Sequence, residues 1–324
     1  MKDKFPLISV VMLNYNGLKY LKQTIPSVLK LDYPNYEFLI VDNGSTDGSI
    51  EFIKKFKRIK LIENGENLGY SKGKNIGVKN ARGKYVLLLD EDILIRDNNI
   101  LSKLVSIYDK NTAFIQVPLV DFGKKNTFYY GTFFSVYGLN MHLPKIEINK
   151  ILNYDGSTLK IAGFTGACLF FNREIWNNIN GFDESQIFNI DDVDLGPRAY
   201  LYGFNNILFT KAYFTHLGVL NANNPKIYSN RLKLLFSGHA RSMIKNYKLG
   251  NLIWHFPVLC LFQLLKAIKY SFKKKSIGIF MAFLSSIKLF IRNLPDTLKQ
   301  RKIIQSKRVI KEDIFLKIRP PKFD

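Results

Sequence analysis

Carboxylates placed one residue apart at the end of an apolar run are the first chemistry this sequence offers. Tyr85 to Leu89 is continuously apolar and delivers Asp90-Glu91-Asp92. Two carboxylates on a tight turn suit a divalent cation, Mg or Mn, which prefers carboxylate oxygens and bridges readily to the oxygens of a diphosphate. A second acidic stretch, Asp191-Asp192-Val193-Asp194, opens a predicted helix to Tyr202 and offers candidates for a general base. Asp42 closes another apolar run, Tyr36 to Val41, and His216 stands in Phe214-Thr215-His216-Leu217-Gly218 at the end of a short predicted strand. Each also has a plainer reading. An acidic triplet can be a solvated loop, Asp42 can cap the helix that follows it, a lone histidine is often structural, and Asp194 reads as a charge favoured near a helix N-terminus.

The elements that must position these groups follow from periodicity. Leu7 to Leu13 is a β-branched and apolar run closed by Asn14-Tyr15-Asn16-Gly17, predicted as a buried strand delivering a turn. Helices are predicted over 18–30, 49–57 and 71–80, the last ended by Gly83, with short strands at 36–41, 59–63 and 85–89 between them. Strands alternating with helices at this spacing predict an α/β fold with a mainly parallel sheet and helices on both faces. Ligands bind beyond the carboxyl ends of such strands, where the turns at Asn14, Asp42 and Asp90 all fall. Residues 111–170 read as more mixed, with strands at Phe114 to Leu119 and Leu169 to Asn172. Trp176 reads as core, its neighbours Ile175 and Ile179 marking an inward helix face.

Composition sets limits around this site. The chain has 324 residues, 47% of them hydrophobic and 14% aromatic, which excludes a disordered or low-complexity protein. Its two cysteines, Cys168 and Cys260, make a disulfide framework or a cysteine zinc site unexpected. The N-terminal charges are followed by an apolar stretch shorter than a signal peptide needs, so a cytoplasmic start is expected. Most of the net charge of +22 sits in residues 226–324, which hold 22 Lys and Arg against 4 Asp and Glu. The expected division is therefore a catalytic domain over 1–225 and a basic, aromatic helical region over 226–324. The apolar runs at 252–265 and 276–291 are flanked by lysines, and the first is broken by Pro257. Their length and flanks predict helices lying in a membrane interface rather than spanning it. A basic tail also suits nucleic acid, but the long apolar runs argue against that partner. A nucleotidyltransferase would use similar carboxylates, yet Asn14-Tyr15-Asn16-Gly17 lacks the basic residue expected of its first loop.

In order and spacing, ISVVMLNYNG, VDNGSTDGS, ENLGYSKGKNIGVKNARGKYVLLLDEDI, TGACLFFNREIWNNINGFDE, FNIDDVDLGPRAYLYGF and THLG together resemble family 2 glycosyltransferases of the GT-A fold, in a rhamnosyltransferase-like branch. The likeness runs from about Ile8 to Tyr247. It implies a nucleotide-sugar donor, a divalent cation and inverting transfer to a glycan or polyprenol-linked hydroxyl at the cytoplasmic membrane face. By the same resemblance Asp42 and the turn at Asn14 and Asn16 wall the nucleotide. Asn67, Gly69, Lys74 and Asn75 lie on the donor side, although Lys72, Lys74 and Lys79 also read as an exposed helix face. Asp90, Glu91 and Asp92 hold the diphosphate and cation, with His216 completing the metal shell. Asp192 is the base, with Asp191 the alternative because the family's usual Glu-Asp is Asp-Asp here. Gly166-Ala167-Cys168 and Gly181-Phe182-Asp183-Glu184 resemble its acceptor-side loops.

Overall fold

The computed structural model describes residues 5–141, 143, 145–185, 191–218 and 225–323, and the side chains of all of these except 128, 191–193 and 225–233. The first half alternates as its sequence pattern requires: β1 (Ile8–Asn14), α1 (Leu18–Leu29), β2 (Tyr36–Asp42), α2 (Ser49–Ile53), β3 (Ile59–Glu63), α3 (Tyr70–Asn80) and β4 (Tyr85–Asp90). After it come β5 (Ile93–Ile95), α4 (Ile100–Ile107), β6 (Thr112–Gln116), β7 (Leu119–Asp121), β8 (Thr127–Tyr129), α5 (Ile148–Leu152), β9 (Thr158–Ile161), β10 (Cys168–Asn172), α6 (Arg173–Asn178), α7 (Asp191–Leu201), β11 (Asn205–Phe209) and β12 (Phe214–His216). Three long helices follow, α8 (Pro225–Asn246), α9 (Leu249–Lys273) and α10 (Ile277–Ser306), then a short 3-10 turn at Ile314–Lys317.

The main sheet runs β3-β2-β1-β4-β10-β6-β11-β9. Its first four strands are parallel, and β10 lies antiparallel between β4 and β6. The register sets Asn14 opposite Asp42 and Leu13 opposite Asp90, so three polar turns open at one sheet edge. A second sheet, β5-β12-β7-β8, pairs His216 with Ile93 and thereby brings the histidine beside the Asp90 turn. Val10, Met12, Ile40, Leu87 and Leu89 are fully buried on one face of the main sheet and Val11, Leu39, Val86 and Leu88 on the other. Burying each such side chain contributes roughly 1.5–3 kcal/mol, which is why the strands are continuous apolar runs.

Several boundaries differ from those the sequence predicts. The helix after Asp42 stops at Ile53 instead of reaching Lys57, and the strand predicted over 114–119 is two strands, β6 and β7, in different sheets. Helix α3 ends at Asn80, capped by the extended Ala81, and Gly83 is no helix cap: a Cβ there would lie 2.5 Å from Ser9 N and 2.7 Å from the Tyr85 carbonyl oxygen. Close approach of β1 and β4 demands the glycine.

The C-terminal helices depart further. Pro257 does not end α9, which runs 25 residues through it, and α10 runs 30 residues through Pro295. A proline removes one backbone donor, and packing against neighbouring helices keeps the rest of the ladder. Both helices are long and apolar enough to cross a bilayer by length and composition, and fewer than a quarter of the residues in either apolar window are buried. Yet α10 packs along α8, with Ser237 N donating to Ser286 Oγ at 3.0 Å. Phe236, Ala240 and Met243 of α8, with Tyr247 just beyond its end, share a core with Tyr200 and Leu201 of α7. The helices are thus joined to the sheet domain through α8, with large apolar side chains such as Trp254, Phe272 and Ile277 turned outward.

Candidate active site

The first wall is a closed network at the ends of β1 and β2. Asn14 Nδ2 donates to Asp42 Oδ2 at 2.7 Å and to Ser45 Oγ at 3.1 Å. Ser45 donates to both Asp42 oxygens, from its N at 2.8 Å and its Oγ at 2.7 Å. Asn16, with a left-handed φ of 52°, donates from its N to Ser45 Oγ and accepts from Thr46 N at 2.8 Å. Asp42 is 0% exposed. Its carboxylate therefore holds the turn together rather than standing free for a base or ribose, and what it offers a ligand is the shape and backbone of the 14–16 and 43–46 turns. The helix-capping reading fails, because the N-terminus of α2 is served by Asp47, which accepts from Ser49 N at 3.1 Å.

The second wall is the turn before α3. Asn67 Oδ1 accepts from Gly69 N at 2.9 Å, and Gly69 sits at φ 84°, ψ 171°, a conformation only glycine adopts without strain. Gly73 and Gly77 let α3 lie close on β1, since a Cβ at either would come within 2.6 Å of Leu13 or Val11. Lys74 is fully buried, its ammonium 2.5 Å from Asp90 Oδ1, 2.5 Å from the Gly166 carbonyl and 2.7 Å from the Tyr70 hydroxyl. It is not an exposed face of the helix. It fixes Asp90.

Asn75, one residue on and a hundred degrees round the helix, turns away from the donor side. Its Nδ2 donates to the Phe182 carbonyl at 2.9 Å and to Glu184 Oε1 at 3.0 Å, while its Oδ1 accepts from Phe182 N at 3.1 Å. These contacts anchor the 181–184 loop.

At the centre, Asp92 Oδ2 lies 3.3 Å from His216 Nε2. Leu217 N donates to the Asp92 carbonyl at 2.8 Å, locking the histidine turn onto the acidic one. Gly218 makes room: a Cβ there would stand 2.1 Å from Asp92 Oδ2. Burial pushes the Asp92 carboxyl up to about 6, with Asp90 adding to the rise and the His216 imidazole opposing it. Glu91 is raised well above the usual carboxylate range by burial and by Asp90 and Asp92 on either side. It points under the first turn, where its Cγ would meet a Cβ on Gly17 at 2.4 Å, and its carbonyl accepts from Thr24 Oγ1 at 3.0 Å.

These residues present part of a donor set that a divalent cation could use. Asp92 Oδ1 is buried with no hydrogen-bond partner, and crowded carboxylates beside an imidazole are the donor set a Mg or Mn ion accepts. Among the described residues no group of three or more such side chains converges into a preformed cage. That fits an ion completing its shell with phosphate oxygens and water.

The side chains of Asp191 and Asp192 lie outside the described residues; their backbone opens α7. Asp194 is described, and it is more than a helix-end charge. It is 0% exposed, ion-paired with Arg198, 2.9 Å from Lys245 Nζ and accepting from Asn246 Nδ2 at 2.8 Å. Lys245 also pairs with Asp183, which accepts from Arg241 Nε at 2.7 Å. Burial works to raise both carboxyls, but Lys245 with Arg241 at Asp183, and Lys245 with Arg198 at Asp194, hold them below the usual range. Sequence reasoning missed Arg241 and Lys245, although their four-residue spacing on α8 marks one helix face. The network lines a cavity of about 560 Å³ behind the 181–184 loop. Trp176 is core, stacked on Phe171 at 4.5 Å.

A nucleotide-binding sheet with β10 inserted antiparallel between β4 and β6, and carboxylates at the carboxyl end of β4, defines the GT-A class. Residues 9–179, more than half of the chain, match the family model described as glycosyl transferase family 2, and the chain belongs to that family. GlyG of Streptococcus pneumoniae serotype 4 is 27% identical over 202 residues, covering 60% of this chain and 65% of GlyG. An uncharacterized glycosyltransferase of Rickettsia felis is 34% identical over 266 residues, 76% of this chain and 43% of the relative. The chain thus spans less than two thirds of the length of these curated relatives. Among solved structures, S. aureus TarS 1-349 with UDP-GlcNAc superposes with a TM-score of 0.61 at 14% identity, covering 96% of this chain and 90% of that one. The mannosyltransferase PcManGT of Pyrobaculum calidifontis with GDP-Man and Mn2+ gives 0.55 at 16% identity, with 97% and 86% covered. At these identities the likeness establishes the fold.

Proposed function

We propose that the chain is an inverting glycosyltransferase that moves a sugar from a UDP- or dTDP-sugar to a hydroxyl of a lipid-linked or cell-surface glycan at the cytoplasmic face of the membrane. The observation that carries this reading is the Asp92–His216 pair, locked beside Lys74-anchored Asp90 at the edge where the β1 and β2 turns also open. The solved relatives hold UDP-GlcNAc in one case and GDP-Man with Mn2+ in another, each at the same fold.

In this reading Asp90, Asp92 and His216 would hold a divalent cation, whose charge would stabilise the leaving diphosphate. The 14–16 and 43–46 turns wall the nucleoside, and Asn67 and Gly69 close the donor side. The acceptor oxygen attacks the anomeric carbon as the bond to the diphosphate breaks on the opposite face, and the hydroxyl proton passes to Asp192, or to Asp191 if that side chain is the nearer. Asn75 and the Arg241–Lys245 pair keep the 181–184 loop and α7 in place around the acceptor. The outward apolar faces of α9 and α10 lie in the membrane interface, since the packing of α10 against α8 leaves only one side of the pair for lipid.

A thermal-shift screen of UDP-, dTDP- and GDP-sugars with Mn or Mg tests the donor and the cation together. Stabilisation by a UDP- or dTDP-sugar only when the cation is present is expected. A shift by GDP-sugars alone would replace the donor assignment, and indifference to cation would remove the metal. Asp192→Asn should retain the donor-induced shift and lose transfer; normal turnover would move the base to Asp191 or elsewhere.

A further inference from the structure

The cavity of about 630 Å³ between the start of α9 and the second half of α10 takes no part in the chemistry above. Five cations line it: Lys248, Arg301, Lys302, Arg308 and Lys311. No acid does. Asp313, beneath it, accepts from Arg308 Nη2 at 2.6 Å and from Lys248 N at 2.8 Å, neutralising one of the five. Arg301 is held by the carbonyls of Ile244 and Tyr247, which fix its guanidinium without cancelling its charge. Lys302 and Lys311 are exposed, and no ion pair among the described residues engages them. A fixed cluster of like charges around a hollow is unfavourable until an anion fills it.

What surrounds the cavity says which anion. Leu298 stands in its wall and is 51% exposed. Ile291, Leu284 and Ile277 precede it at seven-residue steps and are exposed as well, so all four share one face of α10. On α9, Leu249 stands in the wall, and Ile253 and Trp254 continue outward from it. One surface therefore passes from a wide apolar face into a cationic hollow, the order of acyl chain and phosphate in a lipid leaflet. A nucleic acid would meet the cations but leave the apolar face in water.

We propose that this cavity binds the phosphate headgroup of an anionic phospholipid while the apolar face of α9 and α10 rests among the acyl chains. The proposal rests on the interfacial reading of these helices and adds a discrete site to it. An anionic surface favours each nearby cation by about fivefold in affinity, so charge reversal at two of them should be readily measured.

The test is vesicle flotation of the full chain with neutral phosphatidylcholine and with phosphatidylcholine mixed with phosphatidylglycerol. Wild-type protein should bind the mixed vesicles at least about tenfold more tightly. Lys302→Glu with Lys311→Glu, both exposed and so without folding cost, should bind the two compositions alike. The control Lys55→Glu with Lys57→Glu, in the exposed turn after α2, should keep the wild-type preference. Equal loss in the control would mean diffuse charge and overturn the site, as would an unchanged cavity variant. Wild-type protein that binds both compositions equally removes the headgroup site alone, whereas protein that binds neither removes the interfacial reading with it.

Discussion

Lys245 on α8 sets its ammonium 2.9 Å from Asp194 Oδ2 on α7 and pairs with Asp183 of the loop after α6. One buried cation thus joins the C-terminal helices, the helix that carries Asp191 and Asp192, and the 181–184 loop. Removing one member of such a buried set leaves uncompensated charge, which costs about 3–5 kcal/mol. Lys245→Met should lower the unfolding temperature accordingly. A wild-type melting temperature would show that the set contributes little.

The same set predicts a pH dependence. Asp183 and Asp194 have folded-state values held below the ordinary one. Their contribution is therefore complete above the unfolded aspartate value of about 3.9 and is lost as pH falls through the folded values. Wild-type protein should lose stability steeply below about pH 4, and Lys245→Met should show a shallower acid slope in denaturant titrations across that range. Parallel slopes would refute the assignment.

Lys74 is the buried counter-charge of Asp90. Lys74→Met should destabilise the metal-free protein, because Asp90, Glu91 and Asp92 are left to repel one another. Added Mn should then raise its melting temperature by more than it raises the wild type's, the ion replacing the missing charge. An equal or smaller shift would indicate that Lys74 and the cation do not compensate for the same charge.

Asp92→Asn should spare the fold and abolish the cation's effect. Burial and Asp90 already oppose ionisation at this carboxyl, so the neutral amide is expected to unfold no lower than wild type without cation. Mn-induced stabilisation and metal-stimulated hydrolysis of a nucleotide sugar should both vanish. Retention of either would move the metal elsewhere.

Asn75 anchors the 181–184 loop through Phe182 and Glu184. Asn75→Ala should cost about 1–3 kcal/mol and raise the KM for acceptor while leaving the KM for donor near wild type. The opposite split would return Asn75 to the donor side.

The sequence by itself determined the alternation of β1 to β4, the edge at which their turns open, and the family. An apolar run ending in a polar turn is a local signal, and the sheet that must bury the run leaves the turn nowhere else to go. It could not separate Lys74 from Asn75, adjacent in sequence and on opposite errands, because helix rotation relative to a sheet is a packing outcome. It could not see that Asp42 is sealed by Asn14 and Ser45, or that α9 continues through Pro257. Least of all could it pair Lys245 with Asp194 across 51 residues. That contact exists because α8 packs on α7 and shuts out water, and in a water-free interior a buried carboxylate must find a cation wherever the chain has brought one.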